Sequence, residues 1–331
     1  MAPRPRNSRL RRTLFAALVT AAVVVPVSGA ARPAAVPAPA PAALAPLGDA
    51  TSAELDDRYA VNREGIRAAE RMAADHGDRG RAAALHAMAD PARHFLSFDG
   101  RDGGRTAEVF GDLAQAGRIA VLVPGSDTSL DRYERFRAGA VALQHELGGR
   151  AAVVAWLGYR TPGTVSPQVL TADRADQAAP ELRRFVDELS AAEPAARTSL
   201  LCHSYGSVVC ARAASGLRVA DIVLYGSPGT GAGSVAGLHT GATVWAGRGA
   251  ADWIADVPHV RLRLPFATVG LGADPVSKGF GAHVFDAGAG GHGDYLDPGS
   301  VSLRNIARIV SGQTPQTPQT PQTLASEDRH A

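Results

Sequence analysis

A serine hydroxyl is inert toward most electrophiles at neutral pH until a neighbouring base takes its proton, so the chemistry in this chain is sought where a serine stands exposed at a sharp turn. Ser204 stands at such a point. It lies in Ser199-Leu200-Leu201-Cys202-His203-Ser204-Tyr205-Gly206-Ser207, an apolar run that breaks into a small-x-Ser-x-Gly turn and continues into Val208-Val209-Cys210-Ala211. The pattern reads as a nucleophile elbow, in which strand and helix pass so closely that small residues are needed two before and two after the serine. Gly206 meets that demand, and Cys202 occupies the other position, where glycine is usual.

A serine used this way needs a histidine base and a carboxylate that orients it, in the chain order Ser, acid, His. Downstream of Ser204 stand His239, His259, His283, His292 and His330. His292 is the expected base, because Ala289-Gly290-Gly291-His292-Gly293-Asp294-Tyr295 is a glycine-rich loop between a short apolar run and the last helical stretch. His283 is expected to face the fold within or beside a strand, His259 to be structural, and His203 to pack under the turn. Asp252 is the expected acid, following Val244-Trp245-Ala246 and the loop Gly247-Arg248-Gly249-Ala250-Ala251; Asp274 is the alternative, with Asp256 behind it. Two amides should receive the oxyanion of an acyl-transfer intermediate: that of Tyr205 by position, and that of Ser126 in Pro124-Gly125-Ser126-Asp127 after the run ending at Val123. Asp127 is expected to point away.

These groups need a frame that gathers loop residues at one edge. Ile119–Val123, Ala151–Trp156, Thr198–Leu201, Ala220–Tyr225, Thr243–Ala246 and Val260–Leu264 are nearly continuous apolar runs, as strands covered on both faces require. Helix-length stretches, among them 130–147, 175–192 and 207–214, alternate with them, which predicts an α/β fold with a mainly parallel, doubly wound sheet. Leu55, Tyr59, Ile66, Ala69 and Met72 recur at helical spacing, so 52–94 reads as a helical lead-in, followed by a hairpin around Asp99–Gly104.

The ends differ from the 52–311 domain. Residues 1–30 carry five arginines, no acid and the apolar run Leu14–Val25 ahead of small residues, which predicts a cleaved signal peptide and a secreted or cell-envelope protein, by the general or the twin-arginine route. An uncleaved anchor is the other reading of this segment. Its removal takes the formal charge from +2 to −3, which argues against a nucleic-acid surface. The Ala/Pro-rich stretch 31–51 reads as a linker and the Thr-Pro-Gln repeats of 312–331 as a disordered tail. Cys202 and Cys210, one at a strand end and one well into the next helix, are expected to be buried thiols out of disulfide reach. No metal-binding spacing, phosphate loop or cofactor motif is present; Gly229-Thr230-Gly231-Ala232-Gly233 reads as a rim loop in preference to a nucleotide cradle.

Phe95-Leu96-Ser97-Phe98-Asp99, Val121-Leu122-Val123-Pro124-Gly125, Trp156-Leu157-Gly158-Tyr159, His203-Ser204-Tyr205-Gly206-Ser207, Gly226-Ser227-Pro228-Gly229 and Val244-Trp245-Ala246-Gly247, in this order, resemble a bacterial α/β-hydrolase family classed as a domain of unknown function. The resemblance spans about residues 55 to 311 and implies an α/β-hydrolase fold with a serine triad but no particular substrate. Cys202 departs from it, many members having glycine there. The expectation is a secreted serine esterase acting on a small-molecule or lipid ester, without cofactor or metal. A peptidase or amidase on the same groups, or a non-catalytic envelope module, are the alternatives.

Overall fold

The computed structural model describes residues 36–259, 262–263 and 268–318. The expected signal peptide, the first residues of the linker and the tail from residue 319 lie outside the described residues, as do 260–261 and 264 of the expected strand 260–264.

The apolar runs form the sheet. Strands β1 (His94–Asp99), β2 (Arg105–Phe110), β3 (Arg118–Val123), β4 (Ala151–Leu157), β5 (Arg197–His203), β6 (Asp221–Tyr225) and β7 (Thr243–Gly247) are joined by a short β10 (His283–Val284). Their spatial order is β1-β2-β4-β3-β5-β6-β7-β10, and all neighbours from β4 onward are parallel while β1 and β2 form the antiparallel edge. A separate ribbon pairs β8 (Leu262–Arg263) with β9 (Thr268–Val269). Alternation along β3 shows why both faces are apolar. Ile119, Val121 and Val123 enter one buried cluster, with residues of α4 (Asp173–Ala192) and α5 (Gly206–Ala213). Ala120 and Leu122 enter the other, with α3 (Glu134–Leu147) and α6 (Val301–Val310). Two clusters on opposite faces of one parallel sheet are what right-handed strand-helix-strand crossovers produce.

The lead-in is a pair of helices, α1 (Ser52–Asp75) and α2 (Arg79–Met88). Thr51 and Glu54 cap the first of them reciprocally, satisfying amides that the first turn leaves without partners. The stretch before α1 is attached to the domain, with Leu47 packed on the core and the Arg58 guanidinium donating to the Ala45 carbonyl.

The first residues of the segment expected to be a tail are also hydrogen-bonded. The Asp286 amide donates to the Gln316 carbonyl at 2.8 Å, and the Asn305 side chain of α6 bridges the two chains, accepting from the Gln316 amide at 2.9 Å and donating to the Asp286 carbonyl at 2.8 Å. Polar composition misleads here because the bonds are made by backbone. Another expectation fails at His283, which is exposed at the edge strand, its ring tilted against that of Trp245 at 5.0 Å, instead of facing the fold.

Candidate active site

Ser204 follows β5 immediately and sits at φ +51°, a backbone region that a β-carbon makes costly and that surrounding contacts must enforce. Its amide donates to the Tyr225 carbonyl at the end of β6, 3.1 Å away, which fixes the turn against the neighbouring strand. Two glycines let the chains pass. A β-carbon on Gly206 would lie 2.5 Å from the Val123 carbonyl oxygen, and one on Gly125 would lie 2.6 Å from the Ser204 β-carbon.

Cys202 and Cys210 form a disulfide, with Cα atoms 6.4 Å apart, contrary to the expected pair of free thiols. The physical reason is the elbow itself. Chain direction reverses within Ser204-Tyr205, and α5 climbs at only about 1.5 Å per residue, so Cys210 is carried back over the strand end instead of away from it. At the position where glycine is usual, the side chain is thus used to bond the strand to the helix.

The His292 loop, between β10 and α6, brings its imidazole to Ser204. The nitrogen Nε2 lies 2.9 Å from Ser204 Oγ, and Nδ1 lies 2.9 Å from Asp252 Oδ1. A carboxylate only accepts, so Nδ1 carries the proton and Nε2 is left to accept from the serine hydroxyl. Asp252 follows β7 and is 2% exposed. Burial would push its carboxyl upward, but bonds from His292, from the Tyr295 hydroxyl (2.5 Å) and from the Ile254 amide (2.9 Å) outweigh burial and hold it below the usual carboxylate range. Asp274 does not approach this group. It pairs with Arg248 at 2.7 Å and accepts from the Val276 amide at 3.1 Å, serving its own turn. Asp256 is exposed in the short 3-10 turn Trp253–Asp256.

Tyr295, three residues after His292, has a part that its sequence position alone does not disclose. Its hydroxyl donates to Asp252 Oδ2 and accepts from the Gly249 amide at 3.0 Å, so the loop carrying His292 also grips Asp252. Burial, and then Asp252, drive its own ionisation far above the ordinary tyrosine range. His203 Nε2 donates to the His292 carbonyl at 2.8 Å, and the two rings stand 4.8 Å apart. Desolvation, with the nearby His292, lowers the His203 pKa to about 4.

On the other side of Ser204, the amides of Tyr205 and Ser126 donate to no backbone or side-chain acceptor among the described residues. Tyr159 donates to the Pro124 carbonyl at 2.7 Å, and Asp127 turns outward to the Thr164 amide at 3.2 Å, so the Ser126 loop is held from outside. The Tyr205 side chain is buried and donates to the Thr171 carbonyl at 2.7 Å; burial raises its pKa to about 12. Beside Ser204 opens a cavity of about 400 Å³. No cluster of three or more His, Cys, Asp or Glu arranged for a metal ion occurs among the described residues.

The strand order, the parallel pairing from β4 onward and the strained serine after the fifth strand together define the α/β-hydrolase fold. Residues 99–262, about half of the chain, match the profile of a family described as alpha/beta hydrolase. Uncharacterized proteins of Mycobacterium tuberculosis and Mycobacterium bovis are 32% identical over 178 residues, 47% of this chain and 66% of theirs. The match thus spans just under two thirds of those relatives' length. Among solved structures, an α/β serine hydrolase without lid from Xanthomonas campestris aligns over 69% of this chain and 98% of its own, at 20% identity and TM-score 0.45. The esterase LipW of Mycobacterium marinum aligns over 75% and 88%, at 16% identity and TM-score 0.41.

Proposed function

We propose that this protein is an exported serine hydrolase that cleaves carboxylic esters through an acyl-enzyme. The observation that carries the reading is the unbroken hydrogen-bonded chain Ser204–His292–Asp252, both links 2.9 Å, at the mouth of a largely apolar cavity. Ser204 Oγ attacks the acyl carbon as its proton passes to His292 Nε2. The carbonyl oxygen takes the negative charge and is received by the amides of Tyr205 and Ser126. Collapse breaks the bond to the alkoxy oxygen, which leaves as the alcohol with the proton from His292. Water then repeats the sequence on the acyl-serine, giving up its proton to His292, and the acid departs as Ser204 regains its hydrogen. Asp252 stays ionised throughout and stabilises the imidazolium.

Export is supported by the N-terminal sequence and by the Cys202–Cys210 disulfide, a bond that persists in oxidising compartments. The test of the catalytic reading is a fluorophosphonate probe. Wild type should label at Ser204 and Ser204→Ala should not; equally weak labelling of the two, under conditions that label a control hydrolase, removes the enzymatic reading.

A further inference from the structure

The cavity beside Ser204 has two walls built from different parts of the chain. One follows Asp252: Trp253 and Ile254 come directly after it and Val257 a few residues on, and the Trp253 ring lies 4.6 Å from the His292 ring. The other pairs Val169 and Leu170, from the turn before α4, with Leu271, from the segment after β9. A backbone bond from the Gly270 amide to the Leu170 carbonyl, 2.9 Å, stitches that second wall together. Neither wall carries an Asp, Glu, Lys or Arg among the described residues. Leu170 and Trp253, both lining this cavity, are 49% and 48% exposed, large apolar side chains left uncovered at one opening. Scattered exposed apolar residues need no explanation, but two that line one cavity together with Ser204 do.

Resting on the esterase reading, we propose that the two walls divide the ester between them: the leaving alcohol lies against Trp253, and an uncharged aliphatic acyl chain lies against Val169, Leu170 and Leu271. Microscopic geometry assigns the sides. The alkoxy oxygen must reach His292 Nε2 to take its proton, so the group attached to it lies on the His292 side, and Trp253 is the apolar surface there. The acyl chain, attached to the same carbon, takes the remaining apolar lining, Val169, Leu170 and Leu271. The half-exposed indole favours a flat or aromatic alcohol over a short alkyl one. The second wall, aliphatic and without a charged or amide side chain to satisfy, discriminates against acyl groups bearing charge or hydroxyls, whose hydration it does not replace.

The experiment measures kcat/KM on two ester series with the purified mature protein. One holds the alcohol fixed as ethanol and lengthens the acyl group from acetyl to decanoyl. The other holds the acyl group fixed as butanoyl and compares ethyl with 1-naphthyl esters. Wild type should gain up to about four-fold per added methylene until the wall is covered, and should prefer the naphthyl ester. Val169→Trp should flatten the acyl series and leave the naphthyl-to-ethyl ratio in place. Trp253→Ala should cut that ratio by roughly ten-fold and leave the acyl series in place. The readouts are ratios within one variant, so a general loss of rate does not obscure them. The proposal is overturned if each substitution alters the other series, if both series move together in both variants, or if neither series moves. A wild type that labels with fluorophosphonate yet shows flat series refutes the two walls while leaving the hydrolase reading standing; a wild type that does not label refutes the hydrolase reading.

Discussion

The two halves of the candidate site are held by different kinds of force. On the Ser204 side, position is set by backbone: a strand end, a helix start, the amide bond to Tyr225, two close glycine approaches and a disulfide across the turn. On the His292 side there is almost no regular structure between β10 and α6, and position is set by side chains. Tyr295 reaches Asp252, Asp294 accepts from the Gly291 amide at 2.9 Å, and His203 donates to the His292 carbonyl. On the proposed reading, Ser204 Oγ must keep a fixed line of attack on the acyl carbon, while His292 must pivot slightly between serine and leaving group. Rigid scaffold on one side and exchangeable hydrogen bonds on the other match those needs.

The largest effect should come from Asp252. Asp252→Asn keeps the shape but removes the charge that orients and stabilises the imidazolium, and is expected to lower kcat on a simple ester by about 10⁴-fold with the fold intact. Asp274→Asn, whose carboxylate serves Arg248, should cost less than about ten-fold. Similar losses in the two variants, measured side by side with circular dichroism as the folding control, would reassign the acid.

The elbow side is probed by its disulfide. In the chain-entropy account a bridge closing so short a loop stabilises by about 2.5 kcal/mol, so Cys202→Ala/Cys210→Ala should lower the urea midpoint accordingly while kcat at 25 °C changes little. A reductant should lower the wild-type midpoint toward that of the double variant. An equal midpoint with and without the bridge would show that glycine packing and backbone bonds alone hold the elbow.

Much of this arrangement is readable from the chain, and the unreadable part follows a rule. Ser204, Asp252 and His292 can be located because each stands in a glycine-containing turn or loop after an apolar strand run, and an open parallel sheet gathers such loops at one edge. The doubly wound sheet itself is announced by continuous apolar runs alternating with helical stretches. What escapes is whatever depends on how a turn folds back. Cys202 and Cys210 look far apart if the helix is imagined continuing the strand, and the Tyr295 hydroxyl finds Asp252 only because its loop doubles over. The attachment of 313–316 escapes for a related reason, since it is made by backbone groups that every residue type carries.

On the histidine side, Tyr295→Phe removes one bond to a buried carboxylate and leaves the ring in place. A hydrogen bond to a charged group contributes about 2 kcal/mol, so kcat should fall roughly thirty-fold with KM nearly unchanged, since the bond orients the acid and does not touch substrate. A rise in KM without loss of kcat would place Tyr295 in substrate binding instead of acid orientation.

The smallest effect concerns His203, and pH isolates it. Its folded pKa of about 4 lies below the ordinary histidine value of 6.5, so between those values the unfolded chain binds a proton that the native state refuses. The contribution is therefore fully present above pH 6.5, is lost as pH falls toward 4, and declines no further below that, because both states are then protonated. The slope in that window approaches about 1.4 kcal/mol per pH unit for one group. His203→Gln keeps an N–H within reach of the His292 carbonyl but cannot titrate, so urea midpoints taken at pH 7, 6, 5 and 4.5 should fall less steeply for the variant than for wild type. If the two profiles run parallel, acid sensitivity arises elsewhere. The same substitution separates support from ring contact, since a retained kcat at pH 7 means that the neutral ring acts by holding the His292 backbone, whereas a loss there means that the adjacent imidazole ring itself positions His292.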